Sequence, residues 1–147
     1  MDNNSRKNKI ELAYEIAKKY HAGQVDKSGK DYIFHPIAVA QRVKSENEKI
    51  LALLHDTLED TSLTLKQLEA YGFDEEILEG LKAITKKENE NYFAFINRLK
   101  ANPLARRVKI ADLLHNLDIT RLEILTKEDL ERHSKYLAAL EILTLNS

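Results

Sequence analysis

Hydrophobic residues recur every three or four positions along most of this chain, which is the spacing of one face of an α-helix. Only 4 glycines and 2 prolines occur among 147 residues, so few positions interrupt the pattern. We therefore expect an all-α fold, a bundle of about eight helices. The first helix is predicted over about residues 7–22, and a polar loop with two glycines follows it over residues 23–31.

Signals for helix starts divide the rest of the pattern. Pro36 is tolerated at a first helical position and predicts a second helix that runs through Val43. Ser45 and Glu48 have the spacing of a capping box, which predicts the start of the helix that carries His55 and Asp56. The remaining predicted helices span Thr64 to Tyr71, Asp74 to about Thr85, Asn91 to Ala101, Pro103 to Leu122, and Thr126 to the C-terminal region.

Composition narrows the functional classes. The length suits one domain, which we expect over residues 1–147. A formal net charge of −1 gives no electrostatic case for a nucleic-acid or membrane partner. No stretch is apolar enough to span a membrane or to act as a secretory signal, so a cytoplasmic location is expected. The apolar residues Ile142, Leu143 and Leu145 could serve a partner helix in a homo-oligomer.

The stretch from residue 53 to 61 places one imidazole and three acids inside an otherwise apolar helical pattern. His55 is followed directly by Asp56, and Glu59 and Asp60 come one helical turn later. Buried carboxylates that repel one another are costly unless a cation neutralises them. A divalent metal ion is the simplest such cation.

Two other segments supply matching groups. His35 precedes Pro36, which favours an extended backbone at His35, and Asp112 lies among apolar neighbours on the helix that also carries Asn116. The predicted metal site has two histidines and two carboxylates: His35, His55, Asp56 and Asp112.

The absence of cysteine means that a metal ion must be bound through nitrogen and oxygen atoms, a set that suits manganese, iron or zinc better than calcium. An ion with open positions would lower the pKa of a bound water molecule towards roughly 7 and accept a phosphoryl oxygen. Glu59 or Asp60 could position that water molecule or carry its proton.

Each residue also has a purely structural interpretation. Asp56 could orient a buried histidine, His35 could satisfy a backbone carbonyl, and Glu59 with Asp60 could form a solvated helix end. Asp112 could pair with one of three nearby cations, Arg106, Arg107 or Lys109. The occurrence of all these groups in one chain favours the metal site.

The order His35, His55-Asp56, Asp112 resembles the motif of the HD phosphohydrolase superfamily. Five segments resemble, more narrowly, the hydrolase domain of RelA/SpoT-type alarmone enzymes: His21-Ala22-Gly23-Gln24, Lys27-Ser28-Gly29, Tyr32-Ile33-Phe34-His35-Pro36, and residues 54–61 and 108–116. The resemblance covers the whole chain, and the chain is most similar to the stand-alone small alarmone hydrolases.

This resemblance implies an all-helical HD domain and a manganese-dependent enzyme that removes the 3′-pyrophosphate from (p)ppGpp. The products would be GDP or GTP and pyrophosphate. It implies that the four predicted ligands hold the metal ion and that Glu59 and Asp60 are the catalytic acids. It also implies that Lys27 and Asn116 contact the nucleotide.

One departure from the family pattern concerns the substrate. Long members usually carry Arg-Lys where this chain has Asp26-Lys27, and their arginine packs against the guanine base. An aspartate cannot stack in that way and would repel phosphate. Two alternatives therefore stand beside (p)ppGpp hydrolysis: an enzyme for another nucleotide such as NADPH, and a module that senses a nucleotide without turnover.

Overall fold

The structure, a computed structural model, describes residues 2–118 and 125–145, with side chains from residue 9 onwards. These residues form helices and no strand, apart from an isolated bridge between Val25 and Asp31. The helices, in chain order, are α1 (Asp2–Tyr20), α2 (Phe34–Gln41), α3 (Glu46–Leu54), α4 (Thr57–Asp60), α5 (Leu65–Ala70), α6 (Glu75–Ile84), α7 (Tyr92–Leu99), α8 (Pro103–Asn116) and α9 (Lys127–Thr144). The all-α prediction is confirmed. In the described part of the chain, none of the helices has both the length and the hydrophobicity of a transmembrane span.

One predicted helix is split in two, because the backbone turns at His55 and Asp56. The His55 ring lies 2.6 Å from the Ala52 carbonyl oxygen, and the Thr57 hydroxyl donates to the Leu54 carbonyl at 2.7 Å. These side chains satisfy carbonyl groups at the end of α3 that helix continuation would otherwise satisfy. Asp56 then has φ −100° and ψ −2°, a conformation that separates α3 from α4. The prediction of one continuous helix here was wrong.

Three helix boundaries also differ from those predicted. Helix α1 begins at Asp2 rather than near residue 7, because its first residues are polar and add no apolar periodicity to the sequence. Helix α2 begins at Phe34, so His35 is helical rather than extended, and Pro36 lies in the first turn, where no backbone N–H is needed. Helix α8 ends at Asn116, before the predicted end at Leu122, which is outside the described residues.

The predicted caps are confirmed. Ser45, Thr64 and Thr126 each form a capping box with the third residue of the following helix. Asp74 accepts a hydrogen bond from the backbone N–H of Ile77 at the start of α6. These four helices therefore begin at the residues that the sequence indicated.

Helix α3 lies at the centre of the larger core, packed against α1, α2, α6 and α8. Leu51 is fully buried in this core. Gly80 allows α6 to approach α3, since a Cβ atom at Gly80 would lie 3.0 Å from Leu51 Cδ2. The position of His55 at the end of α3 is thus determined by four neighbouring helices.

A second, smaller core joins α7, α9 and the other face of α8. Leu113 on α8 and Leu143 on α9 are both fully buried there. Leu143 therefore packs within its own chain and is not free for a partner helix, in contrast to the expectation. Helix α8 is shared by both cores, and this fixes the orientation of Asp112.

We expect Leu51→Ala to lower the free energy of unfolding by about 2–5 kcal/mol, because it leaves a cavity where α3 meets its neighbours. Urea unfolding followed by circular dichroism measures this change. Leu130→Ala is the matched control, since Leu130 is 52% exposed, and equal losses in the two variants would contradict the assignment of α3 as the central helix.

The connection between α6 and α7 is closed by one arginine. Arg98 donates to both carboxylate oxygens of Glu90, at 2.8 and 2.9 Å, and to the carbonyl oxygen of Thr85 at 3.0 Å. The hydrogen bond from Arg98, together with that from the Lys87 backbone, lowers the pKa of Glu90 to about 2. The pair therefore anchors the connection between α6 and α7.

This pair predicts a dependence of stability on acid pH. The pKa of Glu90 is lower in the folded than in the unfolded state, where it is about 4.3, so the ionised form stabilises the fold above that pH. The stabilisation is lost as pH falls from about 4 towards 2. We expect the free energy of unfolding of Glu90→Gln to change less over this interval than that of the wild type or of the exposed-site control Glu88→Gln.

Candidate metal centre

Two histidine rings meet at the junction of α2 and α3. His35, in the first turn of α2, and His55, directly after α3, are both buried, and their ring centroids lie 5.4 Å apart. The Nδ1–H of His55 donates to the Ala52 carbonyl, which leaves Nε2 facing the carboxylates. The two nitrogen atoms available to a metal ion are thus on the same side of the junction.

Two carboxylates complete the cluster. Asp112 Oδ1 lies 2.7 Å from His35 Nε2 and 3.3 Å from His55 Nε2. Asp56 Oδ2 lies 3.1 Å from His55 Nε2 and 4.0 Å from His35 Nε2. All four residues predicted as ligands therefore converge on one point.

The chemistry of this donor set fits a divalent metal ion. Donor atoms of His35, His55 and Asp56 all lie within 4.8 Å of one another, and Asp112 joins them through its contacts with both rings. Ligands about 2.1 Å from an ion are separated from one another by about 3 Å, close to most of these distances. Imidazole with carboxylate suits transition metals, as the sequence indicated.

The charges of the cluster stabilise one another. Burial alone would lower the pKa of His55, but Asp56 and Asp112 outweigh it and hold that pKa well above the usual value. Burial would raise the pKa of Asp112, but Lys109 and His55 keep it well below the usual value. The carboxylates are therefore ionised, and a metal ion bound here would take the place of the proton on His55 Nε2.

Lys109 and Asn116 hold the Asp112 side chain from either side. Lys109 Nζ donates to Asp112 Oδ2 at 2.9 Å, and Asn116 Nδ2 donates to Oδ1 at 3.0 Å. Pairing with Lys109 was one of the structural interpretations of Asp112, and here it coexists with the histidine contacts. Arg106 donates instead to the Leu143 carbonyl, and Arg107 to Glu48.

His115 supports His35 from behind. The Nδ1 atoms of the two rings lie 2.7 Å apart and the rings are stacked. One of these nitrogen atoms donates and the other accepts, so the contact orients His35 through the nitrogen that faces away from Asp112.

Glu59 and Asp60 line the cleft beside the cluster, on the single turn of α4. The Glu59 carboxylate accepts a hydrogen bond from the backbone N–H of Lys86 at 2.7 Å. Burial, followed by the charges of Asp56 and Glu59, raises the pKa of Asp60 to about 6. A carboxyl group with such a pKa is better suited to proton transfer near neutral pH than an ordinary aspartate.

Two adjoining cavities form the cleft. The one over the cluster has a volume of about 340 Å³ and the other about 440 Å³, and they share Tyr32, Asn116 and Tyr136 as lining residues. Lys27 lines the larger cavity, and its ammonium group is paired with the buried Asp129 of α9. Lys27 and Asn116 thus line one continuous cleft.

The carboxylate of Asp26 is used within its own loop. Asp26 Oδ1 accepts hydrogen bonds from the backbone N–H groups of Ser28 at 2.8 Å and Lys30 at 3.1 Å. The side chain that takes the place of the family arginine therefore closes a turn, and these two donors offset part of its charge.

Sequence reasoning missed two contributions to the cleft. The Tyr32 hydroxyl donates to Asp56 Oδ2. The sequence offered one clue to this contact, since Tyr32 lies only three positions before the predicted ligand His35. Arg132 and Tyr136, one turn apart on α9, line the larger cavity, but no local motif marked them. They reach the cleft only because α9 packs on α8.

Several known proteins are similar to this chain in sequence. No family model matches the chain. It is 37% identical over 149 residues to a Spiroplasma citri protein named guanosine-3′,5′-bis(diphosphate) 3′-pyrophosphohydrolase, which covers 85% of this chain and 19% of that protein. It is 34% identical over 124 residues to a Mycobacterium leprae protein named probable GTP pyrophosphokinase, covering 76% of this chain and 16% of that protein. The chain thus spans less than a fifth of the length of these relatives.

A solved structure shares the fold. It is described as a metazoan ortholog of SpoT that hydrolyzes ppGpp and plays a role in starvation responses. The TM-score is 0.77 at 21% sequence identity, over 92% of this chain and 85% of the other. By sequence and by fold, the chain therefore belongs to the RelA/SpoT family of HD-type domains, as a homologue of one segment of these longer proteins.

Proposed function

We propose that this protein is a manganese-dependent hydrolase that removes the 3′-pyrophosphate from (p)ppGpp. The observation that carries the proposal is the convergence of His35, His55, Asp56 and Asp112 in a cleft that two further acids line. The names of the relatives alone do not decide the chemistry, because some are named as pyrophosphokinases and others as pyrophosphohydrolases. The donor set and the adjacent acids favour hydrolysis.

The four converging residues would hold the ion. A divalent metal ion held there would supply Lewis-acid chemistry, which polarises a phosphoryl group and favours ionisation of water. Manganese is the proposed ion because imidazole and carboxylate oxygen suit it and because the family resemblance implies it.

Glu59 and Asp60 would transfer the proton of the attacking water molecule. In the reaction, a water oxygen bonds to the phosphorus next to the ribose 3′-oxygen, and the bond from that phosphorus to the 3′-oxygen breaks. One acid of the pair accepts the proton from water, and a proton is returned to the 3′-oxygen. The raised pKa of Asp60 suits it to this exchange near neutral pH.

The larger cavity would hold the nucleoside part of the substrate. Lys27 and Arg132 supply cationic groups, and the Tyr32 and Tyr136 rings give apolar surfaces for a base. Asn116 lies between the cavities and would contact the ribose or its 3′-phosphate while it holds Asp112.

Three expectations from the sequence stay predictions. They are that the chain forms a single domain, that it acts in the cytoplasm, and that it works alone or as a homo-oligomer.

Activity tests the proposal directly. We expect the purified, manganese-loaded protein to release pyrophosphate from ppGpp, and Asp56→Asn to lower kcat at least 1000-fold. Asp74→Asn is the matched control, because Asp74 caps α6 far from the cluster in the chain and asparagine also caps helices.

A panel of nucleotides separates the alternatives. Release of phosphate from NADPH with ppGpp left intact would replace the substrate while keeping the enzyme class. Binding of ppGpp in isothermal calorimetry, with no product after long incubation, would favour a sensor instead.

The metal centre can be tested without turnover. We expect calorimetric titration with Mn²⁺ to show one ion per chain, and His55→Gln or Asp112→Asn to weaken its affinity by at least 100-fold. His133→Gln is the control, because His133 lines only the larger cavity. Unchanged affinity in the first two variants would contradict the assigned ligands.

A further inference from the structure

Gln24 lies in the segment from His21 to Tyr32, and the proposed chemistry does not use its side chain. Its backbone closes the segment, since Gln24 N–H donates to the His21 carbonyl at 3.0 Å and its carbonyl accepts from Tyr32 N–H at 2.9 Å. Its side chain reaches in two directions. The amide Nε2 lies 3.0 Å from the Asp60 carbonyl oxygen, and Oε1 lies 2.8 Å from His21 Nδ1.

Only one arrangement of hydrogen atoms satisfies both contacts. A backbone carbonyl can only accept, so the NH₂ end of Gln24 must face Asp60. Oε1 then faces His21, and His21 Nδ1 must carry a proton and donate it. His21 is only 2% exposed and burial lowers its pKa, which suits a neutral ring with its single proton on Nδ1.

Helix α4 depends on such outside support. It is a single turn of four residues, held internally by the hydrogen bonds Asp60 N–H to Asp56 and Thr61 N–H to Thr57. One isolated turn is unstable by itself, because nucleation fixes several residues for one hydrogen bond. The two carboxylates on α4 therefore owe their positions to contacts with other elements.

The same loop holds α4 at both ends. Tyr32 donates from its hydroxyl to Asp56, the residue before the helix, and Gln24 donates to Asp60, its last residue. The stretch between them is closed by the bridge from Val25 to Asp31 and carries Lys27. The contacts to α4 and the proposed nucleotide contact of Lys27 thus lie on one short segment.

We propose that Gln24, oriented by His21, is a positioning residue that fixes the single turn α4, with Glu59 and Asp60, relative to the loop that carries Lys27. Its carboxamide links the end of α1 to α4, and neither residue touches the metal ligands through a hydrogen bond. This inference rests on the proposed function for its kinetic consequence, but its structural consequence can be measured separately.

Two substitutions test the proposal. Gln24→Met keeps the length of the side chain and removes both hydrogen bonds. Gln24→Glu keeps the acceptor for His21 and loses the donor for Asp60, so it separates the two contacts. Gln41→Met is the matched control, because Gln41 is exposed at the end of α2.

The direct readout is amide hydrogen exchange by NMR. We expect both Gln24 variants to accelerate exchange at Asp60 and Thr61 at least 10-fold, while Gln41→Met leaves it unchanged. Affinity for Mn²⁺ should remain within about 2-fold of the wild type, because no ligand is altered.

The kinetic readout follows from misplacing the acids. We expect kcat on ppGpp to fall by about 10- to 100-fold in both Gln24 variants, with a smaller change in KM. His21→Phe should lower kcat to a similar extent as Gln24→Met, and the double variant should fall no further, because the two residues act as one unit.

The outcomes are distinguishable. Exchange at Asp60 and Thr61 that is equal in the Gln24 variants and in Gln41→Met would overturn the proposal, as would loss of activity accompanied by loss of Mn²⁺ binding. A wild type that hydrolyses no nucleotide would refute the proposed function, yet accelerated exchange in Gln24→Glu would still support the coupling of this loop to α4.

Discussion

The site depends on one buried carboxylate. Asp112 is 3% exposed, and it receives His35 and His55 on one oxygen and Lys109 on the other. An isolated charge would be too costly at such a position, so these contacts are a condition of the fold as well as of the chemistry. Because α8 is shared by the two cores, any change that moves this helix also moves the point on which the ligands converge.

The break between α3 and α4 serves the same centre. In a continuous helix, His55 and Asp56 would point about 100° apart, and the acids one turn later would follow the same cylinder. The turn brings the Asp56 carboxylate to 3.1 Å from His55 Nε2 and leaves Glu59 and Asp60 on a separate short turn. This gives two groups of acids with different surroundings: one is neutralised by histidine and lysine, and the other lines the open cleft.

Most of the helices and the four converging residues could be predicted from the sequence, because the patterns that indicate them are local. Helical periodicity and cap residues gave the number and order of the long helices, and clustering of charge in apolar stretches singled out the four converging residues. The break between α3 and α4 was not predictable in this way, since the apolar pattern continues through His55. Helix α3 ends because the side chains of His55 and Thr57 bond to its last carbonyl groups. The bias of a residue before proline was also outweighed at His35, where the first turn of α2 tolerates Pro36.

Contacts between distant segments were beyond sequence reasoning. From the sequence, three cations were equally good candidates to pair with Asp112. In the structure the partner is Lys109, which lies one helical turn before Asp112. Arg132 and Tyr136 enter the cleft through packing of α9, and Gln24 reaches α4 across 36 positions of the chain. In each case the tertiary arrangement, and not the local pattern, gives the residue its neighbours.

The pairing of Lys27 with Asp129 has a further consequence for how a ligand enters. Asp129 also accepts from the backbone N–H of Thr126 in the cap of α9 and from Arg132, so a single carboxylate joins the loop to the first turn of that helix. An anion arriving at Lys27 competes with this carboxylate for the ammonium group. Binding of an anion in the larger cavity would therefore be linked, through Asp129, to the first turn of α9.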